Sequence, residues 1–66
     1  MIEILLNGVK EKIAPCTLKE MLEKLGYEDE AFAVAINGTF VPLKSYHDRQ
    51  INEGDEIEIL APMVGG

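Results

Sequence analysis

Ile2, Ile4 and Leu6 alternate with Glu3 and Leu5, a period of two that predicts a strand with one face toward a core. Asn7-Gly8 follows, the strongest short signal for a two-residue hairpin, because both residues tolerate positive φ. The return strand, Val9 to Ala14, sets Val9 and Ile13 on one side and Lys10 and Lys12 on the other. Pro15 breaks it, and Thr17-Leu18-Lys19-Glu20 reads as a capping box opening a helix. Leu18, Met21, Leu22 and Leu25 then recur at i, i+3, i+4 and i+7, a single apolar stripe, with Gly26 where a C-terminal glycine belongs. So short a helix is marginal alone and must be held by packing on a sheet.

An acidic connection from Tyr27 to Glu30 leads to an alanine-rich strand, Phe32 to Ile36, closed by a second Asn-Gly pair at Asn37-Gly38. Thr39 to Val41 is a short strand stopped by Pro42, which suits a sheet edge. Leu43 to Ile51 has no clear period and reads as a helical turn plus loop. Asn52-Glu53-Gly54-Asp55 is a turn, and Glu56 to Ala61 is the last strand, with Ile57 and Ile59 inward. Hairpin, helix, strand, short strand, strand is an α+β order: a mixed sheet of four to five strands with one main helix on one face. The first and last strands carry the strongest apolar faces and are expected side by side and parallel in the middle, the ubiquitin-like β-grasp arrangement. The domain is read as 1–61, leaving 62–66 as a flexible tail.

Charge and composition narrow the function. Twelve acids against six bases give a net charge of −6, which disfavours nucleic acid and anionic membrane surfaces and suits steering toward a basic protein surface. No apolar run approaches the roughly 20 residues that span a bilayer. The start, MIEILLNGVK, lacks the basic opening and longer apolar stretch of a signal peptide, so a cytoplasmic protein, monomeric by itself, is expected. One cysteine and one histidine make neither an internal disulfide nor a metal cluster. Cys16 reads as a small buried hydrophobe rather than a reactive thiol, its nearest bases in sequence being Lys12 and Lys19. His47, in the loop Ser45-Tyr46-His47-Asp48-Arg49, reads as a solvated surface side chain.

Gly65 and Gly66 are of no use to packing. They suit an end that threads a narrow channel in another protein, where a Cβ would collide, and they leave the last carboxylate open to attack. With Ala33-Val34-Ala35-Ile36-Asn37-Gly38, Val41-Pro42 and Gly54-Asp55-Glu56-Ile57-Glu58-Ile59, this ending resembles the ThiS family of sulfur carriers over essentially the whole chain. The resemblance implies that Gly66 is adenylated at the expense of ATP by a ThiF-like adenylyltransferase. Persulfide sulfur, drawn indirectly from a cysteine desulfurase, then replaces AMP. Gly66 becomes a thiocarboxylate (1-thioglycine) that donates sulfur to a ThiG-like thiazole synthase in thiamine biosynthesis. Met63, Val64 and Gly65 support the reacting end. The chain is then a carrier, binding no cofactor itself, and the catalytic groups belong to its partners.

Alternation also predicts a docking face. With Ile57 and Ile59 inward, Leu60 points to the open side of the sheet together with Leu5, Ala33 and Ala35. A flat apolar patch next to the tail is what a partner needs, although single exposed leucines are ordinary. Other readings share the same features. MoaD-like carriers of molybdopterin synthesis have the same fold and ending, and cysteine, homocysteine and tRNA thiolation use similar carriers. A ubiquitin-like modifier joined to lysines through Gly66, or an interaction module whose glycines are accidental, also fits.

Overall fold

The computed structural model describes residues 1–27 and 33–60. The expected acidic run 28–30, Phe32, Ala61 and the tail 62–66 lie outside the described residues. The elements are β1 (Ile2–Leu6), β2 (Val9–Ile13), α1 (Leu18–Lys24), β3 (Ala33–Ile36), β4 (Thr39–Val41), a 3-10 turn (Leu43–Ser45) and β5 (Glu56–Leu60). They form one sheet in the order β2-β1-β5-β3-β4, with β1 and β5 parallel and the other pairs antiparallel. The expected central pair of first and last strands is therefore present. The second strand stops at Ile13, one residue short of the expected Ala14.

Each hairpin turn is built on an asparagine with positive φ, Asn7 at +50° and Asn37 at +53°, followed by a glycine near +84°. Two consecutive left-handed residues match the right-handed twist of the strands they join. Both turns also reach into β5. Asn7 donates its N–H to the Ile57 carbonyl at 2.9 Å, while its side-chain Oδ1 accepts the Ile59 N–H at 2.8 Å. Asn37 repeats the pattern at the other end of β5, donating to the Glu56 carbonyl at 2.7 Å and accepting the Glu56 N–H at 2.9 Å.

The start of α1 leaves none of its early amides idle. The Leu18 and Lys19 N–H groups donate to the carbonyls of Arg49 and Tyr46 at 2.8 and 2.9 Å. The Glu20 amide donates to the Thr17 hydroxyl at 3.2 Å, and the Glu20 carboxylate accepts the Thr17 amide at 2.9 Å, completing the capping box. At the far end Gly26 has φ +88°, and the Tyr27 and Gly26 amides return to the Leu22 and Glu23 carbonyls. That double closure needs a residue free to adopt the left-handed region. Leu25 is thus the C-cap rather than a fourth buried rung of the stripe, and it is 45% exposed.

One core lies between α1 and the sheet. Ile4, Val34, Ile36, Val41, Ile57 and Ile59 meet Leu18, Met21 and Leu22, and Ile51 fills the space beneath. Val9, expected inward, sits at the edge beyond the helix and is exposed. The loop after β4 contributes more than its lack of period suggested, because Tyr46 is buried in the same cluster. Its partner elements hold it there, and burial pushes its phenol above the usual value.

The turn before β5 holds a buried carboxylate. Asp55, only 7% exposed, accepts the Asn37 side-chain amide at 3.0 Å and the Asn52 N–H at 2.8 Å, with the Arg49 guanidinium 3.8 Å away. A buried charge is tolerable when its lone pairs are satisfied in this way.

The cap offers a direct test. Thr17→Ala should lower stability by about 1 kcal/mol in urea unfolding, the usual cost of losing an N-cap acceptor. The Thr17 amide, and then its hydroxyl, hold the Glu20 carboxyl below its ordinary value of 4.5. Because the folded value is the depressed one, this contribution is complete above the ordinary range and is lost as pH falls through the folded value. Wild type should therefore lose stability in acid more steeply than Glu20→Gln; equal acid slopes would contradict the cap.

Candidate docking face and carrier terminus

Helix α1 covers one side of the sheet and leaves the other open. Strand alternation and register decide what stands there. Leu5 lies opposite Lys10 and Glu56, Ala33 opposite Leu60, and Ala35 between Glu58 and Phe40. Leu60 is 62% exposed, while Leu5, Ala33 and Ala35 are partly covered by their neighbours. All four residues expected on this side therefore share it. Phe40, on the three-residue edge strand β4, joins them and is 63% exposed. It was not singled out from the sequence, although the inward direction of its neighbour Val41 implies its outward one.

The patch is not uniformly apolar. Glu56 and Glu58 stand on the same side of β5 between Leu5 and the alanines, and both are exposed. The lysines of this side, Lys10 and Lys12, are on the edge strand β2, with Lys12 opposite Glu3. The open face is thus an apolar field, Leu60, Ala33 and Phe40 on one flank and Leu5 on the other, divided by an acidic ridge. Such a face favours a partner that brings both apolar side chains and positive charge.

The expected carrier residues Gly66, Gly65, Val64 and Met63 lie outside the described residues. Six positions separate Leu60 from Gly66, at most about 20 Å of extended chain. The described part of the last strand reaches Leu60 in the middle of the sheet, with that side chain on the open face.

The other polar candidates stand apart from this place. Cys16 is buried beside the start of α1, in the wall of a cavity of about 120 Å3 between β2 and the helix. Burial pushes its thiol above the ordinary value, Lys24 opposes that, and Glu20 adds to it. Lys24, a turn along the helix, is the base that bears on it rather than the sequence-adjacent Lys12 or Lys19. A protonated, covered thiol is a poor nucleophile. His47 is exposed and lies 3.4 Å from Asp48. Among the described residues no group of three or more His, Cys, Asp or Glu could hold a metal, and no helix is long and apolar enough to cross a membrane.

Comparison with known proteins identifies the frame in which this face sits. The sequence model of the ThiS family matches residues 4–66. The chain belongs to the ThiS family. It is 38% identical over 61 residues to the sulfur carrier protein ThiS of Thermus thermophilus, covering 92% of this chain and 95% of that one. It is 34% identical over 65 residues to a thiazole synthase of Paramagnetospirillum magneticum, covering 97% of this chain but only 20% of that protein. The fold matches the crystal structure of the thiamine biosynthesis protein ThiS from Geobacter metallireducens with a TM-score of 0.84, at 23% identity, over 98% of this chain and all of that one. The β-grasp expected from the order of elements is the fold of this family.

Leu60→Glu tests the face directly. Since the side chain points away from the core, the isolated protein should keep its melting temperature. Binding to any partner that docks on this face should weaken by about 1–3 kcal/mol, the range for losing a buried apolar contact. Calorimetry would read both, and an unchanged affinity would place the contact elsewhere.

Proposed function

We propose that this chain is a sulfur carrier for thiamine thiazole formation, loaded and discharged at the Gly66 carboxylate. The observation that carries the reading is family membership in which the matched region extends through Gly65 and Gly66. The geometry of β5 supports it, since the central strand carries Leu60 on the open face, six positions before Gly66. The likeness to one fifth of a thiazole synthase supports that enzyme class as the acceptor, because in that protein a related sequence and the name of a synthase share one polypeptide.

The chemistry follows from what a carboxylate lacks. It is a poor electrophile until one oxygen becomes a good leaving group. A ThiF-like adenylyltransferase supplies this by letting a Gly66 oxygen attack the α-phosphate of ATP, with pyrophosphate leaving. The terminal sulfur of a cysteine persulfide, charged indirectly by a desulfurase, then attacks the carbonyl and AMP departs. A second thiol cleaves the resulting sulfur–sulfur bond, leaving a disulfide behind and the thiocarboxylate on Gly66. That group is a soft nucleophile on a tether, delivered to a ThiG-like synthase without release of sulfide. In this reading Leu60, Leu5, Ala33 and Ala35 dock the enzymes, Gly65, Val64 and Met63 thread their channels, and ATP and catalytic groups belong to the partners.

Intact mass after incubation with a ThiF-like enzyme, ATP and a persulfide donor decides the matter. The product should be heavier by the difference between sulfur and oxygen. Deleting Gly66, or adding one alanine after it, should abolish adenylation while leaving the melting temperature unchanged. A larger covalent species in its own cells would instead make the chain a protein modifier.

Cys16→Ala should leave loading intact and cost only about 1 kcal/mol of stability, a small buried group being replaced by a slightly smaller one. A folded Cys16→Ala protein that cannot be loaded would give the thiol a chemical role.

A further inference from the structure

The parallel pairing of β1 with β5 is short. It covers Leu5 with Glu56 and Leu6 with Ile57, after which β1 turns away at Asn7-Gly8. Glu58, Ile59 and Leu60 continue beyond it, paired on the other side with Ala35, Val34 and Ala33 of β3. On the β1 side, among the described residues, the hydrogen bond that holds this last stretch runs from the Ile59 N–H to Asn7 Oδ1, at 2.8 Å. The bond falls one residue before Leu60, the last described residue of the strand.

We propose that Asn7 is a positioning residue for the carrier reaction, fixing β5 at Ile59, seven residues before Gly66; this rests on the carrier reading above. A reacting group at the end of a tether gains from a rigid root, because every alternative direction of the root is a state that must be abandoned before the carboxylate reaches ATP. Docking through the open face fixes the sheet but not its final residues. Asn7 joins the two, since the turn that carries it belongs to β1 and its side chain holds β5.

The fold contains its own control. Asn37 makes the equivalent clasp at the opposite end of β5, on Glu56, and binds Asp55 as well. Glycine at either position keeps the left-handed turn and deletes only the side chain. Asn7→Asp keeps both the tolerated φ and an acceptor oxygen.

The experiment compares full-length wild type, Asn7→Gly, Asn7→Asp and Asn37→Gly in adenylation by the activating enzyme, with amide hydrogen exchange read at Ile59. Asn7→Gly should speed exchange at Ile59 and lower kcat about fivefold, the equivalent of one net hydrogen bond, with KM unchanged because the docking face is intact. Asn7→Asp should restore kcat. Asn37→Gly should lower the melting temperature more than Asn7→Gly yet leave kcat unchanged. Faster Ile59 exchange with wild-type kcat in Asn7→Gly, or an equal fall in kcat in Asn37→Gly, would overturn the proposal and leave Asn7 a residue of the fold alone. Wild type that is never adenylated would overturn the carrier reading instead, and this inference with it.

Discussion

The hydrogen bonding of the central strand is the constraint on which the rest depends. Strand β5 is flanked on both sides, its inward residues Ile57 and Ile59 are buried, and its parallel contact with β1 is only two residue pairs long. A buried amide without a partner costs more than a made bond returns, so the strand is stable only if its ends are served. Asn7 and Asn37 serve them, each giving a backbone donor and a side-chain acceptor to β5. The residue at these positions must both accept positive φ and present an oxygen at short reach, and few side chains other than Asn and Asp do. The turns that close the two hairpins are therefore also the clasps that hold the sheet together in its middle.

Much of this was readable in the chain because it is local. The Thr17-to-Glu20 spacing, the Gly26 stop and the alternation around Ile57 and Ile59 each state a structure within a few residues, and each is found. Parity then put Leu60, Leu5, Ala33 and Ala35 on one side without any knowledge of partners. What escaped depends on distance or brevity. The turn role of Asn7 and Asn37 accounted fully for their presence, so nothing hinted at second duties 52 and 18 residues away in sequence. Asp55 looked like an ordinary turn residue; the Asn52 amide lies in its own turn, but Asn37 and Arg49 reach it from separate segments. Tyr46 and Phe40 lie in stretches too short to show a period. Leu25 fitted the stripe by spacing, but the helix closes at Lys24 and turns it outward.

The two faces of the sheet divide the labour. One side, with α1 and the loop around Tyr46, holds the core and carries the buried thiol of Cys16. The other carries Leu5, Leu60, Phe40 and two alanines around the exposed Glu56 and Glu58. Substitutions on the open face can alter recognition without touching the packing that defines the fold.

Glu56 and Glu58 give the open face a further property. A wholly apolar patch of this size would adhere to itself or to any greasy neighbour. Two carboxylates in its centre must stay hydrated until an opposing cation replaces their water, so close approach is conditional on the right visitor. The same replacement is undone when the visitor withdraws and water returns. A protein that is passed from a loading station to an unloading one is served better by such exchangeable contact than by permanent adhesion. On the carrier reading proposed above, the same ridge that interrupts the patch keeps its contacts reversible.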